Sequence, residues 1–209
     1  QIDMEPTDAL ACDNRRFAWL MAGELPKVGL VQTRADDEVP RMLAAMIAPP
    51  AVPISEHRYR VVNVPIDTLL DRRDLNSMPV LIVADVKMLS ALAAERLTAY
   101  VKNGGMLLII PGPNTQPDTY TAAAGLLPAA IEGVVACEPP LRPAAANFTH
   151  PWLEPFADLT IDSINDRLAF RRLALKPPAA GATVVLTFAD GTPALLESRG
   201  GKGRVAFFA

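Results

Sequence analysis

Residues 78–112 carry the sharpest change of hydrophobic pattern in the chain. Pro79-Val80-Leu81-Ile82-Val83-Ala84 is a short, continuous apolar run. Over residues 89–103 the period changes, and Leu89, Leu92, Ala93, Leu97, Tyr100 and Val101 fall on one helical stripe. Gly104-Gly105 ends that stripe, and Met106-Leu107-Leu108-Ile109-Ile110 is a second uninterrupted apolar run. Strands apolar throughout, joined by an amphipathic helix, predict a parallel sheet covered on both faces.

The same rhythm runs upstream. Val28-Gly29-Leu30-Val31 reads as a buried strand, and Asp36-Asp37-Glu38 suit a helix start because carboxylates complement the dipole there. That helix continues through Met42, Leu43, Met46 and Ile47 and stops at Pro49-Pro50. Residues 59–64 form the next strand and residues 67–76 a short helix or turn. Three successive crossovers predict an α/β fold with a doubly wound, mainly parallel, flavodoxin-like sheet.

Beyond Gly112 the rhythm breaks. A loop at 113–116, a helix over 118–127, a proline-rich excursion around a strand at 134–137, a short helix at 151–156 and a strand at 170–175 are expected. Residues 183–188 then turn at Asp190-Gly191 into 194–198, and Gly200-Gly201-Lys202-Gly203 turns into 204–209. Asp-Gly between apolar runs signals a hairpin, so the sheet should carry an antiparallel C-terminal hairpin extension. Residues 1–25, polar and turn-rich before the apolar run Phe17 to Met21, read as a connector or the last strand of a preceding domain; residues 26–209 read as the main body. The start at Gln1 and the end inside an apolar strand read as cuts from a longer protein.

Composition narrows the function classes. The net charge is −3, and the basic residues come as scattered pairs (Arg15-Arg16, Arg72-Arg73, Arg171-Arg172) rather than as a patch. Nucleic acid is therefore not an expected partner, and each pair reads as a solvated rim or an ion pair. No apolar run approaches the roughly 18 residues of a membrane span, so no direct membrane insertion by this segment is expected. Cys12 and Cys137 are the only cysteines, too few for a disulfide framework and in no C-x-x-C pair. His57 and His150 lie far apart with no acidic cluster at ligand spacing, so no metal and no cofactor is expected.

Ligands of doubly wound sheets sit beyond the carboxyl ends of the strands. That places a candidate ligand pocket at Thr33, Arg34, Asp85, Lys87, Gly112 and Asn114. The run Leu92…Glu95-Arg96-Leu97…Tyr100-Val101-Lys102-Asn103-Gly104-Gly105-Met106-Leu107-Leu108-Ile109, with the tail Pro193 to Glu197 and Gly201-Lys202-Gly203-Arg204-Val205, resembles the class I glutamine amidotransferase-like superfamily. Leu10-Ala11…Asp13-Asn14-Arg15-Arg16 together with His150-Pro151 is similar to a segment of bacterial aerotolerance-related (BatA-like) membrane proteins. The resemblance implies an amidotransferase-like α/β domain at 26–209, in a membrane-anchored parent and on the periplasmic face of the inner membrane.

Active members of that superfamily hold a cysteine on the turn after a core strand, with a histidine and an acid as partners. Here that turn reads Pro111-Gly112-Pro113-Asn114, without Cys or Ser and with two prolines that lack an amide hydrogen. No catalytic residue is assigned. The expected function is a non-catalytic interaction or scaffold domain, its partners being other domains of the parent or membrane-complex proteins. The alternatives are a cysteine-dependent hydrolase or amidotransferase using Cys137 and His150, or a small-ligand binder at the strand ends. A receiver-like acid pocket from Asp36-Asp37, Asp85 and Lys176 is disfavoured because Lys176 comes too late in the chain. Gly200-Gly201-Lys202-Gly203 lacks the Ser/Thr and helix of a phosphate loop.

Overall fold

The computed structural model describes residues 2–3, 15–16, 24–34, 36–156, 158 and 167–209. The strands are β1 (Ile2–Asp3), β2 (Arg15–Arg16), β3 (Lys27–Gln32), β4 (Arg60–Pro65), β5 (Val80–Ala84) and β6 (Met106–Ile110). They continue with β7 (Ile131–Leu141), β8 (Pro143–Ala146), β9 (Ala169–Leu175), β10 (Thr183–Phe188), β11 (Pro193–Gly200) and β12 (Gly203–Phe208). Helices α1 (Glu38–Ile47) and α2 (Ala91–Lys102) follow β3 and β5.

Eight strands make one sheet in the order β4-β3-β5-β6-β12-β11-β10-β8. Pairing is parallel from β4 to β12 and antiparallel from β12 to β8. Strands β7 and β9 pair antiparallel as a separate ribbon, and β1 pairs with β2 apart from both. The Cys12 thiol and the apolar run at 17–21 lie outside the described residues.

Alternation along the central strands divides two cores. Val31, Val64, Leu81, Val83, Leu107, Ile109, Val205 and Phe207 point to one face, where Leu97, Tyr100 and Val101 of α2 and Leu173 of the ribbon cover them. Leu30, Ile82 and Ala84 point to the other, under Val39, Leu43 and Ile47 of α1, and Trp152 and Leu153 cover Leu195 and Ala206 there. Each fully buried large side chain contributes about 1.5–3 kcal/mol of transfer free energy.

Helix α2 has a defined start and stop. The Ser90 hydroxyl accepts from the Ala93 amide at 3.2 Å, an N-cap that stabilises by about 1 kcal/mol. At the other end Gly105 N–H donates to Tyr100 O (3.1 Å) and Gly104 N–H to Val101 O (2.9 Å), the paired bonds of a Schellman cap. Gly104 holds φ +110°, which L side chains rarely adopt. A Cβ on Gly105 would fall 2.1 Å from the Tyr100 ring, whose hydroxyl donates to Met78 O at 2.9 Å. Burial raises the Tyr100 pKa.

A doubly wound, mainly parallel sheet is not what forms. The sheet is mixed, and the two α-helices among the described residues lie one on each face. Between β4 and β5 the chain makes only 3₁₀ turns, Ile66–Thr68 and Leu75–Ser77. The helix expected over 118–127 is a 3₁₀ segment, Pro117–Ala123. Prolines at 128, 139, 140 and 143 remove amide donors a helix would need, and this stretch extends instead as β7 and β8. The short helix expected at 151–156 reduces to one 3₁₀ turn, Glu154–Phe156.

Candidate functional site

The carboxyl ends of β5 and β6 converge on one carboxylate. Asp85 follows β5 directly, is 1% exposed and takes a positive φ of 48°, which turns its side chain across the end of β6. Asp and Asn tolerate this left-handed conformation better than most residues. Its Oδ1 accepts from Asn114 N (2.9 Å), Thr115 N (3.0 Å) and Thr115 Oγ1 (3.1 Å), and its Oδ2 accepts from Asn114 Nδ2 (2.8 Å). Gly112 lies against the same group, since a Cβ there would sit 2.5 Å from Asp85 Cγ. Gly112 N–H in turn donates to Thr115 Oγ1 at 3.0 Å. The carboxylate is thus a clamp on the 112–115 turn.

The sequence-derived pocket residues are only partly united. Asp85, Gly112 and Asn114 meet, and Lys87 N donates to Thr33 Oγ1 at 3.1 Å beside them. Arg34 turns away to an exposed pair with Asp36 (3.1 Å), whose hydrogen bond holds the Asp36 carboxyl below its usual range. Asp36 and Asp85 therefore have separate partners. No cluster of three or more His, Cys, Asp or Glu able to hold a metal occurs among the described residues. Thr115 was not singled out by sequence reasoning, though its place three residues after Gly112 is an ordinary signal for a side-chain-closed turn.

Cys137 and His150 do not form a dyad. Cys137 is buried on β7, its thiol donating to Val135 O at 3.9 Å. His150 Nδ1 accepts from Trp152 N–H at 3.3 Å, so its proton resides on Nε2 and is donated to Glu197 Oε2. Arg204 Nη1 donates to the other carboxylate oxygen, Glu197 Oε1, at 2.8 Å. His150 is 8% and Glu197 6% exposed. This histidine ties the 147–156 segment to β11 and β12. The signal that could have flagged Glu197 was a carboxylate directly after the apolar run Ala194-Leu195-Leu196, on the same strand.

A cleft of about 280 Å³ opens between the β6 turn and the β7–β9 ribbon. Gly112 is the one residue of the sequence-derived set that borders it, with Thr115, Arg171 and Arg172 as the polar groups and Phe208 among the apolar ones.

The described residues thus form a mixed-sheet domain whose strand-end turn is closed by a buried carboxylate. Residues 57–209 match the family model described as the beta-galactosidase trimerisation domain, and the chain belongs to that family. The cytoplasmic protein STM3548 from Salmonella typhimurium is similar in structure, with TM-score 0.63, 18% identity and coverage of 88% of this chain and 87% of that one. The cytoplasmic protein STM1381 from Salmonella typhimurium LT2 matches with TM-score 0.64 and 15% identity over the same shares, 88% and 87%. A beta-galactosidase from Rahnella sp. R3 matches with TM-score 0.53 and 17% identity, covering 88% of this chain but 28% of the enzyme. At such identities the likeness is one of fold. No curated protein matches the chain in sequence.

These findings replace the amidotransferase-like and BatA-like resemblance and what it implied. The membrane-anchored parent, the membrane-complex partners and the periplasmic location lose their basis, and the Salmonella relatives are named as cytoplasmic proteins. No described helix is long and apolar enough to cross a membrane.

Proposed function

We propose that this chain is a non-catalytic assembly unit of a larger protein related to the beta-galactosidases, and that it holds copies of that protein together in threes. The observation that carries the reading is the match of residues 57–209 to a trimerisation domain. The clamped turn supports it: Pro111 and Pro113 offer no amide, and those of Gly112, Asn114 and Thr115 are already bonded. Residues 26–209 are the assembly unit and residues 1–25 a connector or the last strand of a preceding domain, a division supported by the pairing of β1 with β2, apart from the main sheet, among the described residues.

Light scattering or sedimentation equilibrium on the chain tests this directly. The expected mass is three times 22.4 kDa. A thermal midpoint that rises with protein concentration is expected alongside it, because association stabilises only the folded state. A monomer with a concentration-independent midpoint would end this reading. Cys137, buried and not hydrogen-bonded to His150, should react with iodoacetamide far more slowly than an exposed thiol under native conditions and at the ordinary rate in urea. Rapid native alkylation would reopen the thiol-enzyme alternative.

A further inference from the structure

The β11–β12 ladder runs from Leu195↔Phe208 to Gly200↔Gly203 without a register shift, and it sets Arg199 directly opposite Arg204. Opposite residues of an antiparallel pair put their side chains on one face, with Cβ atoms about 5 Å apart. Two guanidiniums therefore share one spot on the sheet, where like charges repel. One of them is answered: Arg204 Nη1 donates to Glu197 Oε1 at 2.8 Å. The other is not. Arg199 is exposed and has no hydrogen bond or ion pair among the described residues. Glu197 is already shared, because its Oε2 takes the His150 Nε2–H. It lies two positions before Arg199 on β11, hence on the same face, so the arginine pair stands at the rim of the buried His150–Glu197 contact.

A cavity of about 230 Å³ opens at this rim, and both arginines line it together with His150, Glu197 and Thr183. Pro151 is its one apolar side chain, so it offers no wall for the body of an organic ligand. Two guanidiniums against one carboxylate leave a surplus of positive charge. Donors are also in surplus. Each guanidinium carries five N–H groups, and of these only Arg204 Nη1 is engaged. Thr183 lies opposite Glu197 across the β10–β11 ladder, and its hydroxyl has no hydrogen bond among the described residues. We propose that this cavity binds a phosphoryl group, held between the guanidiniums of Arg199 and Arg204. A phosphomonoester carries about 1.5–2 negative charges at pH 7 and three strong acceptor oxygens, which answers two adjacent forks better than the single charge of a carboxylate does. This goes beyond the assembly reading and does not depend on it.

Calorimetric titration of the whole chain at low ionic strength tests the proposal, with inorganic phosphate and glycerol 3-phosphate as probes and acetate as the carboxylate control. The tighter phosphoryl probe is expected to bind with a dissociation constant on the order of 1 mM, at least about tenfold tighter than acetate. Which of the two binds tighter tells a free anion from a monoester. Arg199→Ala, at an exposed position, should weaken that probe about tenfold, with Arg199→Lys in between. Its melting temperature without ligand should not fall, since the variant loses only an unpaired like charge. Arg171→Ala removes the same charge from a residue outside this cavity and should leave the constant unchanged. No binding of either phosphoryl probe at tens of millimolar, equal binding of acetate, an unchanged constant in Arg199→Ala, or an equal loss in Arg171→Ala would each overturn it. Mass measured on the same samples keeps this result separate from the question of trimer formation.

Discussion

Asp85→Ala is expected to lower the unfolding free energy by about 3–4 kcal/mol, read as a shift of the urea midpoint at unchanged slope. The carboxylate accepts four hydrogen bonds at 2.8–3.1 Å from Asn114 and Thr115, and its removal strands three of these donors, Thr115 N–H keeping its bond to Gly112 O at 3.1 Å. Each buried donor left unpaired costs about 1–3 kcal/mol, but the half-exposed turn lets water reach some of them, so the sum is not realised. Alanine also tolerates φ 48° less well than aspartate does. Asp85→Asn keeps the backbone conformation and one acceptor and should lose about half as much. A shift below about 1 kcal/mol in Asp85→Ala would show that the turn holds itself, and that the clamp does not account for the closed strand end.

Glu197→Ala should cost about 2–3 kcal/mol, because it leaves the buried His150 Nε2–H without its acceptor and Arg204 without its carboxylate. Its carboxylate is shared by His150 Nε2 and Arg204 Nη1. The Arg204 arm counts for less, since that side chain is 39% exposed and screened by solvent. The His150 arm is buried and anchors the segment whose Trp152 and Leu153 cover β11 and β12. Trp152 meets the imidazole edge-on at 5.1 Å between ring centroids, so in a Trp19→Phe background its fluorescence is a local reporter. The variant is expected to show an earlier urea midpoint and a red-shifted Trp152 emission under native conditions. Glu197→Gln, which retains shape and one acceptor, should fall between. An unchanged midpoint with unchanged emission would mean that the segment is held by apolar contact alone.

Much of the local structure was legible. Uniform apolar runs located β5 and β6, and helical spacing with Gly104-Gly105 located α2 and its end. The same Gly-Gly misled at the next level. A helix, two glycines and a strand are what a Schellman cap followed by a tight approach to Tyr100 requires, in any fold that joins a helix to a parallel strand this way. The motif reported a joint, and the amidotransferase resemblance read it as a lineage. Strand order was not legible either. Apolar β12 lies parallel to β6 on one side and antiparallel to β11 on the other, and nothing in its composition distinguishes the two neighbours.

The candidate site shows the same division. Asp85 could be singled out because a charged residue directly after a buried strand sits at a sheet end. Its role as an acceptor for a turn 29 and 30 residues later could not, because that contact exists only once β5 and β6 pair. Arg171 reads in isolation as solvated surface, and becomes part of a cleft wall only when the ribbon folds over the strand ends.

The chain by itself determined where β5, β6 and α2 start and stop, because period, caps and turn residues act over a few neighbouring positions. Tertiary structure alone decided that the sheet would be mixed, that His150 would meet Glu197 and not Cys137, and that Arg171 would border a cleft. Those outcomes depend on which apolar faces find each other across long stretches of chain. Hydrophobic burial is non-directional, so the run of side chains specifies that a face must be covered without specifying by what.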